Sequence, residues 1–242
     1  MPRMLLLLCT TLTISACSKD AEKAPPHAGS STPTPAASAA PSPAASASSA
    51  PLPAGSAADR EPNAPLMLHR AGQPAPATQA QRVLHFGDSM VPLVANYLRP
   101  LVEKKGGRYE IVSTSSSTTL SWAEGEQLEE LLRKHDPELV LISLGSNELF
   151  FEDDLEQRGK AVRSIVERVG PRACLWIGPP AWTKRRAFLD TLVGSLGSCR
   201  YFDSAVLKMD RQDDGRHPTW GASHAWAGKV WERLGGEASE LP

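Results

Sequence analysis

Four residues in this chain have the side chains that acyl transfer needs, although they are scattered along it: Ser89, Asn147, Asp214 and His217. A serine hydroxyl is a weak nucleophile and requires an adjacent base. His217 is suited to take its proton, and Asp214 to fix the imidazole tautomer and stabilise the imidazolium. Residues three apart in a helical turn face the same way, so Asp214-Gly215-Arg216-His217 can supply base and orienter from one short segment. The Asn147 side-chain amide and the backbone N–H of Ser89 would donate to the oxyanion that forms when a carbonyl is attacked.

Each of these residues has rivals. His85 lies inside a predicted strand, where a hydrogen-bonded structural histidine is the better reading. His224 falls one turn into the last helix, where packing or surface exposure is favoured. Asp203 and Asp213 are alternative acids, and only the three-residue spacing selects Asp214. Asp88 neighbours the nucleophile, but it is better suited to shaping the turn than to reacting. Trp220, Trp226 and Trp231 are able to stack on a sugar, but the latter two have the helical spacing of core residues, and Trp182, after Pro179-Pro180, is the better candidate for a substrate wall.

For these side chains to meet, the chain must bring distant turns to one edge, and its hydrophobic pattern does so. Arg82-Val83-Leu84-His85-Phe86 has strand character and runs into Gly87-Asp88-Ser89. A helix follows over 91–104, with Pro92 in its first turn, where the helical N–H needs no partner, and Pro100 as a point of kinking or splitting. A short strand at 109–112 leads into the hydroxyl-rich loop 113–119. Ser121-Trp122-Ala123-Glu124 has the form of a capping box, opening a helix that ends near His135. Leu139 to Leu144 reads as a strand buried on both faces. It delivers Gly145-Ser146-Asn147-Glu148.

A helix over 154–169, a strand over 173–177, a helix through Phe188 to Leu196 and a strand over 200–202 follow. The loop 203–218 and a final helix from about Thr219 to Leu234 complete the pattern. Strands alternating with helices imply βαβ units. The expected fold is α/β: a three-layer, doubly wound, flavodoxin-like domain of five parallel strands with helices on both faces. In such sheets ligands bind at the carboxyl ends of the strands.

The ordered set of motifs resembles the SGNH (GDSL-type) hydrolases, whose markers are Gly-Asp-Ser after the first strand, Gly-x-Asn after the third and Asp-x-x-His near the C-terminus. The resemblance spans about Arg82 to Leu234. It implies Ser89 as nucleophile, His217 as base, Asp214 as its partner, and Ser89 and Asn147 as oxyanion donors. The family also has a glycine after the second strand whose N–H is the third donor. No glycine lies between Val112 and Ala123, so Ser117 or a neighbour is expected to take that place. Where many members have Asp after the Asn, this chain has Glu148.

The N-terminal third is different in kind. Residues 1–16 hold Arg3, an apolar run too short to span a bilayer, and then small residues, the form of a signal peptide. Ile14-Ser15-Ala16-Cys17 resembles the lipobox of bacterial lipoproteins, which implies lipidation at Cys17 and attachment to a membrane. Residues 17–80, rich in Ala, Pro and Ser, are expected to form a disordered tether, leaving residues 81–242 for the folded domain. Cys174 and Cys199 each stand at the start of a predicted strand. If those strands are parallel neighbours their starts come within disulfide reach; the alternative is two buried thiols. The 242 residues carry a net charge of −1 with no basic cluster, so nothing points to nucleic acid. Clustered His and Asp metal ligands are missing around Asp88 and Asn147, and no Gly-x-Ser-x-Gly elbow occurs.

Together these readings describe a monomeric cell-envelope serine esterase or deacetylase that uses no cofactor or metal. It would be lipid-anchored on the periplasmic side, with the outer membrane favoured, and would cleave small acyl esters such as O-acetyl groups on glycans. Two alternatives stand beside it: an O-acyltransferase using the same triad, and a non-catalytic lipoprotein binding a glycan or partner on the same scaffold.

Overall fold

The computed structural model describes residues 65–70, 73–150, 154–183 and 186–242. The expected signal peptide, Cys17 and most of the expected tether lie outside these residues. A hairpin of β1 (Met67–Arg70) and β2 (Gln73–Pro76) comes first. The main body then runs β3 (Arg82–Gly87), α1 (Val91–Lys104), β4 (Arg108–Ser113), α2 (Thr119–Glu124), α3 (Gln127–His135), β5 (Leu139–Ser143), α4 (Leu155–Val169), β6 (Ala173–Ile177), α5 (Ala187–Ser195), β7 (Arg200–Phe202) and α6 (Trp220–Arg233).

The five strands β3 to β7 form one parallel sheet in the order β4-β3-β5-β6-β7. This is the flavodoxin-like order, in which the chain reverses its direction of winding beside the first strand and leaves a crevice there. Alternation along each strand separates two apolar layers. Val83, Leu139, Leu141, Leu175 and Ile177 face α1 and α6. Leu84, Phe86, Val140, Ile142, Leu144 and Trp176 face α2 to α5. Trp226 and Trp231 are buried in the first layer, as their helical spacing implies.

Three local expectations are corrected. The helix expected from Ser121 to His135 is two helices, because Gly125 is extended (φ −87°, ψ 162°) between α2 and α3. The capping residue is Thr118, whose hydroxyl accepts from the Ser121 N–H while Ser121 Oγ accepts from the Thr118 N–H. Pro100 neither ends nor divides α1; it lies on an exposed face of an unbroken helix.

The folded body begins sooner than residue 81, the expected boundary. Leu66 and Leu68 share one side of the hairpin and are buried against the α1–α6 layer together with Ala77 and Ala80. Backbone bonds seal this contact: the Leu66 N–H donates to Arg233 O (2.9 Å) and the Thr78 N–H to Leu234 O (3.1 Å). The folded body therefore includes the chain from about Pro65.

Cys174 and Cys199 are joined by a disulfide with a Cα–Cα distance of 4.7 Å. Parallel pairing of β6 with β7 is what brings these two strand starts together.

Candidate active site

The strand β3 ends at Gly87, where nothing larger fits: a Cβ there would lie 1.9 Å from the Ser143 carbonyl oxygen, and the backbone holds φ +150°. This contact lets the turns after β3 and β5 lie side by side at the crevice. Asp88, fully buried, then ties the two turns together. Its carboxylate accepts from the Met90 N–H (2.9 Å), the Ser146 N–H (3.3 Å) and the Ser146 hydroxyl. Burial pushes its pKa up to about 6 against the opposing effect of those donors. Asp88 shapes the turn, as its position in the sequence suggested.

Ser89 follows, part-buried, with its Oγ 2.8 Å from His217 Nε2. His217 Nδ1 is bonded to Asp214 Oδ2, while the Arg216 and His217 backbone N–H groups donate to Asp214 Oδ1 (2.8 and 3.0 Å). Those bonds, the one from the imidazole first, hold the Asp214 carboxyl well below the usual carboxylate range. With Nδ1–H facing a carboxylate, Nε2 is left as the acceptor of the serine proton. The pair is open to solvent, the His217 side chain being 30% exposed and that of Asp214 43%.

The segment carrying His217 and Asp214 is a closed loop rather than a free strap. Gln212 donates its N–H to His217 O (2.8 Å), Thr219 donates its N–H to Asp210 O (2.9 Å), and Arg211 Nη1 donates to Arg216 O (2.6 Å). Thr219 then caps α6 through its hydroxyl. Asp203, one rival acid, instead caps the turn at 204–206.

Asn147 opens a 3₁₀ turn, Asn147–Phe150, directly after β5. The glycine before it is required, since Gly145 holds φ +115° and a Cβ would meet the Phe188 ring at 2.8 Å. One hydrogen of the Asn147 amide is donated to the Ser117 carbonyl (2.8 Å), which fixes the side chain and leaves the second hydrogen available. The Ser89 N–H is paired with no acceptor among the described residues.

Ser117, the expected third donor, already has its polar groups paired. Its N–H is committed to Thr114 O (3.1 Å), and its hydroxyl donates to Gly87 O (3.4 Å) while accepting from the Trp122 indole (3.0 Å). The left-handed residue of this loop is Ser116, at φ 60°, and its N–H has no acceptor among the described residues. A glycine would have marked that position in the sequence; a serine within a run of hydroxyl residues does not.

Behind the loop, Glu148 is fully buried and accepts from the Thr119 N–H (2.5 Å), with Arg158 Nη1 3.9 Å from the same oxygen. Burial raises its pKa. Asn147 and Glu148 thus hold the serine-rich loop at two successive points, a bond that chain pattern alone did not reveal. Trp182 stands beside Phe150, ring centroids 5.4 Å apart, and the Arg216 guanidinium lies 4.3 Å from the Phe150 ring centre.

The remaining histidines have structural surroundings. His85 lies between Tyr109 Oη (Nδ1, 2.8 Å) and Ser143 Oγ (Nε2, 2.8 Å), and burial lowers its pKa to about 3, so it is neutral. His224 packs edge-on against Tyr97 and contacts the Pro242 carbonyl at the surface. Among the described residues no three His, Cys, Asp or Glu side chains gather as metal ligands.

No protein-family model matches the chain, and no curated protein sequence does. Solved structures do. LAE5, an alpha/beta hydrolase enzyme from the metagenome of Lake Arreo, is similar with a TM-score of 0.54 at 14% identity, over 66% of this chain and 98% of that one. A variant of Axe2, an acetyl xylan esterase from Geobacillus stearothermophilus, is similar with a TM-score of 0.50 at 16% identity, over 64% of this chain and 95% of that one. At such identities the likeness establishes the fold, a parallel five-stranded sheet flanked by helices.

Proposed function

We propose that residues 65–242 form a serine esterase that hydrolyses small acyl esters. The observation that carries this reading is the 2.8 Å bond from Ser89 Oγ to His217 Nε2, with Asp214 on the far ring nitrogen. In the first half-reaction Ser89 Oγ bonds to the acyl carbon as its proton passes to His217. The carbonyl oxygen takes up the negative charge facing the Ser89 N–H, the free hydrogen of Asn147 and the Ser116 N–H. Collapse breaks the C–O bond to the alcohol, which leaves with the proton from His217. Water then repeats the sequence on the acyl-serine, releasing the carboxylic acid and restoring the hydroxyl.

O-acetyl groups on glycans are the substrate class we favour. The acetyl xylan esterase activity named for the Axe2 structure, which shares this fold, is in keeping with that choice. We further place the protein in a bacterial cell envelope, lipidated at Cys17. The small residues before Cys17, the Ala/Pro/Ser-rich stretch after it and a disulfide of the kind that persists outside the cytosol all support this.

The purified domain is expected to hydrolyse 4-nitrophenyl acetate and to be labelled at Ser89 by a fluorophosphonate. Hydrolysis that survives Ser89→Ala, or a Ser89 that resists labelling, would overturn the esterase. The latter result would favour a binding protein on the same scaffold. Mass spectrometry of the membrane fraction tests the anchor: acyl chains on Cys17 are expected, and a Cys17→Ala chain should be released as a soluble protein.

A further inference from the structure

The loop that carries the base also projects a guanidinium across the mouth of the site. Arg216 is fixed on both sides of its Cα: its N–H is donated to Asp214 Oδ1 at 2.8 Å, and its carbonyl accepts from Arg211 Nη1 at 2.6 Å. From this anchored backbone the side chain reaches to Phe150, the last residue of the turn that Asn147 opens, with 4.3 Å between the guanidinium carbon and the ring centre. Trp182 meets the same ring at 5.4 Å and an interplanar angle of 50°. The contact bridges the two lips of the site, one bearing His217 and the other Asn147.

Several arginines face carboxylates, with Arg158 on Glu148, Arg168 on Glu129 and Arg82 on Asp136 and Glu138, while Arg163 bonds the Ser195 hydroxyl and Arg211 bonds backbone carbonyls. Arg216 has no carboxylate within ion-pair distance among the described residues, and its guanidinium rests on an aromatic face. A guanidinium resting on a ring keeps its planar edge of N–H donors directed outward, an arrangement matched to a carboxylate. Phe150 is partly exposed and Trp182 half-buried, so both can offer apolar ring surface beside that charge. His217 delivers its proton to the departing alcohol, and Arg216 precedes it on the same loop. The subsite therefore belongs to the alcohol half of the ester.

We propose that Arg216, Phe150 and Trp182 form a specificity subsite for a ring-bearing alcohol that carries a carboxylate, the chemistry of an acylated acidic sugar. The proposal rests on the serine esterase reading and narrows its substrate class.

The test compares 4-acetoxybenzoate with 4-acetoxybenzamide, which share ring and acyl group and differ in the charge of the alcohol half. At low ionic strength the wild-type protein is expected to favour the benzoate by about tenfold in kcat/KM, mostly through KM. Arg216→Gln should bring that ratio to about one. Arg216→Lys should retain part of it, because an ammonium supplies charge without the planar fork. Phe150→Leu should lower it by freeing the guanidinium, and circular dichroism verifies that each variant is folded. A wild-type ratio near one, or a ratio unchanged in folded Arg216→Gln, overturns the subsite while leaving the esterase standing. Cleavage of neither ester, with Ser89 unlabelled by a fluorophosphonate, overturns the esterase and the subsite with it.

Discussion

Asp88 is fully buried one residue before Ser89, and its carboxylate accepts hydrogen bonds from both turns it joins. Burial raises its pKa to about 6, so the folded protein holds that proton more tightly than the unfolded chain does. Its contribution to stability is fully present below the unfolded pKa near 4 and is lost as pH rises through about 6, a loss of about 3 kcal/mol. Buried Glu148 shifts in the same direction. Thermal unfolding of wild type and Asp88→Asn across pH 4 to 7 separates the two groups. The wild type should lose melting temperature relative to the variant over that range, and parallel curves would contradict the assignment. Asn147 is expected to act on rate instead. Asn147→Ala removes the proposed oxyanion donor and should lower kcat on 4-nitrophenyl acetate by about 10²- to 10³-fold. Because its amide also holds Ser117 O, hydrogen exchange in the loop 113–118 should rise in the same variant.

Among the elements, the N-terminal hairpin has the clearest energetic consequence. Leu66 and Leu68 are buried against the layer that contains Trp231 and Val230. Burying two leucines contributes about 4 kcal/mol. A chain beginning at Pro65 is therefore expected to unfold at the same denaturant midpoint as one with a longer N-terminus. A chain beginning at Gln81 should show a midpoint lower by an amount equivalent to several kcal/mol. Proline and alanine hid this hairpin from a reading by composition, since Gln73-Pro74-Ala75-Pro76 resembles the low-complexity stretch before it. Burial of Leu66 and Leu68 is a tertiary fact without a local signature. The division between α2 and α3 falls at Gly125, a residue the sequence shows but whose extended conformation it does not. The five strands and their helices were legible because their apolar runs are long and their boundaries carry Gly, Pro or Asp.

Across the whole molecule, the chemistry and the disulfide occupy opposite edges of the sheet. Ser89 and Asn147 follow the carboxyl ends of β3 and β5, whereas Cys174 lies at the start of β6 and Cys199 just before β7. A crosslink with a sequence separation of 25 stabilises by about 3 kcal/mol in a chain-entropy account. Reduction, or Cys174→Ser with Cys199→Ser, should thus lower the melting temperature while leaving kcat/KM at 25 °C within about twofold of wild type; loss of activity without loss of stability would count against this separation. Ser89, Asn147, Asp214 and His217 were legible in the sequence because each sits in a motif at a strand end or loop. Ser116, Glu148 and Arg216 were not, because a left-handed φ, a buried bond to Thr119 and a reach across the mouth exist only once distant turns meet. The same geometry governs how the protein can be held. Helix α6 begins three residues after His217 and ends at Arg233, where Leu66 is bonded, and fourteen residues of helix span about 20 Å. Pro65, where the described residues begin, therefore lies at the end of the domain remote from Ser89. A domain immobilised through that end should keep its Ser89 as open to a reagent in solution as the free protein does.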